Sequence, residues 1–210
     1  MTIKNIIFDF GGVLYNIDYK ITERAFSDLL EKPFSFKGFP GLSRTLKQYE
    51  TGKINTETFI WKIQKRCSDK VQGRDVMNAW NSMLLSIPRA RLNFLINLKK
   101  SYKVYLLSNI NEMHADFADR SIKKNHGMED WQSQCFNKVY YSHIIHNRKP
   151  NKSIYNYVIE DANINPKESI FIDDLAENII AARATGLNAV QHNPSDEIID
   201  KLESYLSETT

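Results

Sequence analysis

The sequence predicts an α/β protein with a doubly wound, mainly parallel sheet, into which an all-helical segment is inserted. The first observation is that short apolar runs alternate with amphipathic helical patterns over residues 89–210, which is typical of right-handed βαβ units. The second is that residues 16–88 show apolar residues at helical spacing and no convincing strand. We therefore expect one core built from residues 1–15 and 89–210, and a helical domain at residues 16–88.

The predicted first strand is NIIF at residues 5–8, in which three apolar residues follow Asn5. It ends at Asp9, and the glycines at positions 11 and 12 that follow indicate a tight turn. Asp9 is thereby expected at the carboxyl end of a buried strand, where open parallel sheets bind their ligands. A carboxylate buried there is costly unless a metal or a cationic side chain compensates its charge.

Three helices are predicted within residues 16–88. A loop rich in proline and glycine, from Pro33 through Pro40 to Gly41, separates the first helix from the second. Asn55 or Thr56 is expected to cap the second helix. The apolar residues at helical spacing are Ile21, Ala25, Phe26, Leu29 and Leu30 in the first helix, Phe59, Ile60 and Ile63 in the second, and Val76, Trp80, Met83 and Leu84 in the third.

After residue 88, helices and strands are predicted in alternation. Helices are expected at 89–100, after Pro150, after the Asp173–Asp174 pair and from Ile198 onward, and the third of these ends near Gly186. Strands are expected at residues 103–107, 138–141, 169–172 and 187–190.

Polar side chains stand at the ends of four predicted strands. They are Asp9, the pair Ser108 and Asn109, Lys149 after a loop, and the pair Asp173 and Asp174. Each one alone is also typical of a turn or a helix cap. In a doubly wound sheet, however, these strand ends converge on one crevice, where facing carboxylates favour Mg²⁺ and a lysine can pair with a phosphate.

With these motifs the chain resembles the haloacid dehalogenase superfamily of hydrolases. The matching stretches are FDFGGVL at residues 8–14, LSN at 107–109, RKP at 148–150, and FIDD at 171–174 with Asn178, Ala182 and Gly186 beyond it. The resemblance covers essentially the whole chain. It implies a Rossmann-like core, with residues 16–88 in the place of the helical cap that sets substrate specificity in this superfamily.

The resemblance also implies a two-step hydrolysis with assigned roles. Asp9 would be the nucleophile that forms a covalent aspartyl intermediate, which water then cleaves. Ser108, Asn109 and Lys149 would bind the transferring group and stabilise its charge. Mg²⁺ would be held by Asp9, the backbone carbonyl of Gly11 and Asp174, with Asp173 as a further ligand or a partner of the ligands.

The chain departs from the superfamily pattern at two positions. Phosphatases of this superfamily usually carry an aspartate, the general acid, where this chain has Gly11, and relatives often have a glycine where it has His146. A branch of sugar-phosphate phosphatases that includes α-glucose-1-phosphate phosphatase shares the pattern of Asp9 to Val13 followed by Asp18. Asp18, or another of residues 16–88, could therefore supply or position the missing proton; the alternative is that Asp18 only caps the first helix.

Composition narrows the partners of the protein. The 210 residues carry a formal net charge of +3, too small to argue for nucleic acid, and no apolar stretch approaches the about 20 residues that span a bilayer. Cys67 and Cys135 lie far apart and match no metal-binding spacing, which favours a reduced, cytoplasmic compartment.

These observations favour a Mg²⁺-dependent phosphatase of a small phosphorylated metabolite, with a sugar phosphate as one candidate. A 2-haloacid dehalogenase is a second reading, against which the Asp173–Asp174 pair argues. The third is a protein that keeps the fold as a binding module, an idea that Gly11 supports because it removes the general acid.

Overall fold

A five-stranded, fully parallel sheet forms the centre of the protein. The structure, a computed structural model, describes residues 2–36, 38 and 41–207. The sheet consists of β1 (Asn5–Phe8), β4 (Lys103–Ser108), β5 (Lys138–Tyr141), β6 (Ser169–Asp173) and β7 (Asn188–Gln191), in the spatial order β5-β4-β1-β6-β7. All four neighbouring pairs are parallel, which confirms the predicted doubly wound sheet.

The register of the three central strands aligns their carboxyl ends. Phe8 of β1 lies opposite Leu106 of β4 on one side and Ile172 of β6 on the other. The Asp9 amide continues this pairing by donating to the Ile172 carbonyl at 2.8 Å. Asp9, Ser108 and Asp173 therefore reach the same edge of the sheet within one residue of one another.

Helices cover both faces of the sheet and bury its apolar side chains. In chain order they are α5 (Arg89–Leu98), α6 (Glu112–His126), α7 (Trp131–Cys135), α8 (Ser142–Ile145), α9 (Lys152–Asp161), α10 (Ala176–Arg183) and α11 (Ile198–Ser207), with a 3₁₀ turn at Pro166–Glu168. One face packs Ile6 and Phe8 against α5, α6, α7 and α11, and the other packs Ile7 and Phe171 against α9 and α10. None of the described helices combines the length and apolar composition needed to cross a membrane.

Residues 16–88, which we call the helical insertion, contain the helices α1 (Tyr19–Leu30), α2 (Leu42–Glu50), α3 (Thr56–Gln64) and α4 (Gly73–Asn81). Their apolar faces meet in a cluster of their own around Phe26, Phe59 and Trp80, to which the core contributes Met113. Asn55 caps α3 as expected, because its side chain accepts a hydrogen bond from the Thr58 amide at 3.0 Å. The sequence pattern missed α2, and Pro40 of the predicted loop lies outside the described residues.

The expectation that residues 16–88 contain no strand is wrong. Asn16–Ile17 (β2) pairs antiparallel with Leu84–Ser86 (β3), at the two points where the chain enters and leaves the helical insertion. A hydrogen bond of 2.9 Å from the Asp18 amide to the Met83 carbonyl extends the pair. Strands of two and three residues are too short to show an alternating pattern in a sequence, which explains why they were missed.

The helical insertion also packs directly on α6 of the core. The Tyr49 hydroxyl accepts from the Met113 amide at 3.2 Å, and the indole of Trp80 stacks on the His114 ring with centroids 4.9 Å apart. Nε2 of His114 bonds the Trp80 carbonyl at 3.0 Å. Burial of this ring lowers the pKa of His114 to about 4, although the bond to Trp80 opposes the effect, so the imidazole is neutral at pH 7.

We predict that His114 makes the protein sensitive to acid. Its folded-state pKa lies below the ordinary value of about 6.5, so its contribution to stability is full above pH 6.5 and is lost as the pH falls toward 4. His114→Gln removes the titration and keeps a group that can bond the Trp80 carbonyl. Urea unfolding of both proteins at pH 7 and 4.5 should show that the variant loses roughly 2 to 3 kcal/mol less than the parent over this range. Equal losses in the two proteins would contradict the assignment.

Candidate active site

The sheet edge brings together most of the side chains singled out in the sequence. Asp9 follows β1, Ser108 ends β4, Asp173 ends β6, and Lys149 arrives on the segment between α8 and α9. The Lys149 ammonium lies 2.7 Å from Oδ1 of Asp9 and 2.6 Å from Oδ2 of Asp173. Asp18 is the exception, since its carboxylate caps α1 by accepting from the Lys20 amide at 2.9 Å.

Lys149 is a buried cation between two buried carboxylates. Its residue exposure is 1%, against 8% for Asp9 and 0% for Asp173. Burial alone would lower the pKa of Lys149, but the charges of Asp173 and Asp9 outweigh it and raise that pKa. Lys149 is therefore held as an ammonium, and its charge compensates a site that would otherwise be strongly unfavourable.

One ammonium does not balance three carboxylates. Oxygen atoms of Asp9, Asp173 and Asp174 all lie within 4.8 Å of one another. Burial raises the pKa of Asp9 to about 8 against the opposing charge of Lys149, with Asp173 and Asp174 adding to the rise. Burial, with the charge of Asp173, also raises the pKa of Asp174 to about 6. A cluster of oxygen donors that lacks positive charge fits a hard divalent cation such as Mg²⁺.

The three carboxylates differ in how far their oxygens are already bonded. Both Asp173 oxygens accept from Nδ2 of Asn178, at 2.8 and 3.0 Å, and Oδ1 also accepts from the Leu175 amide at 2.8 Å. Since Oδ2 also contacts the Lys149 ammonium, each Asp173 oxygen already has two partners. The half-buried Asp174 is the acid at this strand end that is better placed to bind an ion.

The turn after Asp9 explains why position 12 is a glycine. The Phe10 amide donates to Oδ1 of Asp9 at 2.7 Å, and the Phe10 carbonyl accepts from the amides of Leu14 and Tyr15. Gly12 has a φ of +80°, and a Cβ there would lie 2.9 Å from Oδ2 of Asp174. Glycine at this position allows both the backbone conformation and the close approach of the carboxylate.

Asn109 holds the backbone of Lys149. Its Nδ2 donates to the Lys149 carbonyl at 2.9 Å, and its Oδ1 accepts from the Lys149 amide at 2.8 Å. The family resemblance implies that Asn109 contacts the transferring group; in the structure its side chain holds the backbone of Lys149. Ser108, which is 4% exposed, shares a cavity of about 70 Å³ with Asn109 and Gly11.

The helical insertion holds the same segment from the other side. His146 adopts the left-handed conformation itself, with a φ of +54°, and its Nδ1 bonds the Thr51 carbonyl at 3.0 Å. Nε of Arg148 donates to Oε2 of Glu50 at 3.0 Å. The residue that replaces the expected glycine thus keeps the positive φ, at a cost of about 1 to 2 kcal/mol that these contacts offset.

Two further residues near the site were not found from the sequence. Tyr19 lines the cavity beside Gly11 while 54% of the residue stays exposed, and the partial burial of its hydroxyl, with the charges of Asp174 and Asp9, raises the pKa of Tyr19, so the hydroxyl is neutral at pH 7. Burial raises the pKa of Glu50 against the opposing charge of Arg148. Neither residue belongs to a motif, because both are brought to the site by the packing of α1 and α2.

Comparison with known proteins points to one family. The model of the haloacid dehalogenase-like hydrolases matches residues 3–186. The chain is 29% identical over 198 residues to a D-ribitol-5-phosphate phosphatase of Bacteroides thetaiotaomicron, covering 90% of this chain and 91% of that protein. It is 26% identical to a sesquiterpene phosphatase of Aspergillus oryzae, covering 89% and 88% of the two chains.

Solved structures agree with this result. A haloacid dehalogenase family enzyme of Bacteroides thetaiotaomicron, solved as a wild-type complex with magnesium and inorganic phosphate, superposes with a TM-score of 0.77 at 31% identity, covering 93% of this chain and 96% of that one. The same family enzyme in another crystal structure gives a TM-score of 0.81 with the same coverage. An L-2-haloacid dehalogenase of Xanthobacter autotrophicus is 16% identical with a TM-score of 0.56, which is a likeness of fold alone.

We predict that Gly12→Ala lowers the free energy of unfolding by more than backbone strain alone, because it also disturbs the carboxylate cluster. Gly127, with a φ of +62° and no atom within 4 Å of a built Cβ, provides the matched control. Gly127→Ala should cost about 1 kcal/mol of unfolding free energy from strain alone. Gly12→Ala should cost more and should weaken binding of divalent cations, since its methyl group displaces Asp174.

Urea unfolding and titration with Mg²⁺ measure the two effects. Equal destabilisation by both substitutions, with unchanged ion binding in Gly12→Ala, would contradict the close approach of Asp174 to the turn.

Proposed function

The chain belongs to the haloacid dehalogenase-like hydrolase family, and within that family we propose that it is a Mg²⁺-dependent phosphatase of a small phosphorylated metabolite, of the sugar or polyol phosphate class. The observation that carries this proposal is the Lys149 ammonium held between Asp9 and Asp173 beside the half-buried Asp174. The relatives named as phosphatases and the solved complex with magnesium and phosphate support the same reading.

In this proposal Asp9 is the nucleophile. Its carboxylate attacks the phosphorus of the substrate, the bond from phosphorus to the ester oxygen breaks, and an aspartyl phosphate forms. Water then attacks the phosphorus of this intermediate, which releases inorganic phosphate and regenerates the Asp9 carboxylate. Oδ1 of Asp9 is held by Lys149 and by the Phe10 amide, so the orientation of the carboxylate is set before substrate binds.

The other residues bind and neutralise the phosphoryl group. Lys149 and the hydroxyl of Ser108 stabilise its negative charge, and Asn109 and Asp173 act by holding Lys149 in place. Asp9, the Gly11 carbonyl and Asp174 would hold Mg²⁺, which when bound supplies positive charge to the attacked phosphate. Burial and the neighbouring carboxylates raise the pKa of Asp9, and the added positive charge would counter this rise and favour the ionised, nucleophilic carboxylate.

The proton for the leaving alcohol does not come from Asp18 in this proposal. The Asp18 carboxylate is bonded to the Lys20 amide as the cap of α1, and Gly11 has no side chain to offer. Tyr19, which lines the cavity beside Gly11, would donate a hydrogen bond to the leaving-group oxygen, and the proton that completes the alcohol would come from solvent water. The helical insertion, as the domain that covers the crevice, would then select the substrate through residues such as Tyr19.

The dehalogenase alternative has less support. The similarity to a solved haloacid dehalogenase is one of fold, and the carboxylate cluster with its lysine matches a reaction that neutralises a phosphoryl group. The phosphate-release assay described below distinguishes the proposed phosphatase from a binding module without activity.

We predict Mg²⁺-dependent release of phosphate, with ribitol 5-phosphate and hexose phosphates as the first substrates to test. Asp9→Asn removes the nucleophile and should lower kcat by about 10³-fold or more. Asp18→Asn is the matched control, because asparagine caps a helix as well as aspartate does, and it should retain turnover within about twofold.

A loss of turnover in Asp18→Asn at unchanged stability would restore Asp18 as the proton donor. Undiminished turnover in Asp9→Asn would exclude Asp9 as the nucleophile, and no turnover on any phosphate ester would favour the binding module.

A further inference from the structure

A second, larger cavity lies between the helical insertion and the segment that follows α8. Its volume is about 810 Å³, within the range of about 300 to 1,000 Å³ that is usual for small-molecule sites. One wall is α2 with the turn after it, and the other is the stretch from 146 to 151. Its lining residues are mostly polar and include Ser43, Gln48, Thr51, His146, Asn147 and Asn151.

The charged side chains that line this cavity are all positive. Among the residues that the structure describes, four cationic side chains line it, Arg44, Lys47, Lys53 and Arg148, and no carboxylate does. Glu50 pairs with Arg148 at 3.0 Å, but Arg44, Lys47 and Lys53 have no ion pair within the part of the chain that the structure describes. The whole chain has a formal net charge of only +3, so this concentration of positive charge is local. Like charges that face one shared space repel, and an anion between them offsets that cost.

The cavity is separate from the proposed catalytic site. Lys149 is absent from its lining, since its ammonium is buried against Asp9 and Asp173. None of the three clustered carboxylates lines it either. Arg148, the neighbour of Lys149, faces the cavity instead. Residues 146–148 therefore line this cavity, whereas the Lys149 ammonium belongs to the carboxylate cluster.

We propose that this cavity binds a small polyanion, a molecule with at least two phosphate or carboxylate groups. Cations stand on both walls, with Arg44 and Lys47 on α2 and Arg148 opposite, so one ligand with separated negative groups can contact both. The amides of Gln48, Asn147 and Asn151 offer hydrogen bonds to the rest of the ligand. Such a ligand bridges the helical insertion and the segment that carries Lys149, and it stabilises the folded protein by binding it.

The test is calorimetric titration with inorganic tripolyphosphate, without Mg²⁺ and without substrate. The variant Arg44→Gln with Lys47→Gln removes two exposed cations on one turn of α2. The matched control is Arg120→Gln with Lys124→Gln, which removes the same two residue types from the exposed face of α6. We expect binding by the parent, at least about tenfold weaker binding by the α2 variant, and a change of less than about twofold in the control.

Each other outcome overturns the proposal. Equal weakening in both variants would mean unspecific attraction to a basic protein, and unchanged binding in the α2 variant would place the anion elsewhere, including at Lys149. Orthophosphate that binds as tightly as tripolyphosphate would exclude a polyanion site. Neither variant touches a proposed catalytic residue, so phosphatase activity measured on the same proteins tests the proposed function independently.

Discussion

The structure depends on one buried arrangement of charge, the Lys149 ammonium between the carboxylates of Asp9 and Asp173. Removing the ammonium, or both of the carboxylates, would leave an uncompensated charge in the interior. Such a change typically lowers the free energy of unfolding by about 3 to 5 kcal/mol. The parallel register of β1, β4 and β6 brings the two acids to one edge, and Asn109 holds the lysine backbone there. The ion pairs and the Asn109 bonds therefore fix the positions of these side chains in the absence of substrate.

The helical insertion is tied to this arrangement and does more than cover it. Glu50 bonds Arg148, and the Thr51 carbonyl bonds His146, so the end of α2 contacts the segment that carries Lys149. The β2–β3 pair fixes the other connection to the core. The insertion is therefore tied to the core at two places, the segment that carries Lys149 and the β2–β3 pair.

The sequence predicted the parts that depend on strand ends and missed the parts that depend on packing. Asp9, Ser108 and Asp173 could be placed because each directly follows or ends an apolar run whose neighbours are parallel. The position of Tyr19 could not be predicted, because it depends on how α1 leaves a two-residue strand. The double hydrogen bond of Asn109 to Lys149 joins residues 40 positions apart, and no local pattern records it. Asp18, by contrast, could be predicted from local sequence, because the structure shows it as the helix cap that its residue type favours.

We propose that Asp9 carries the phosphoryl group during turnover. The most direct measurement is a single turnover with excess enzyme and Mg²⁺, quenched rapidly in acid, followed by mass spectrometry of the peptide that contains Asp9. We expect a phosphoryl group on Asp9 that appears and decays as phosphate is released, and none in Asp9→Asn. Phosphate release at the normal rate with no phosphorylated Asp9, or with the group on another residue, would contradict it.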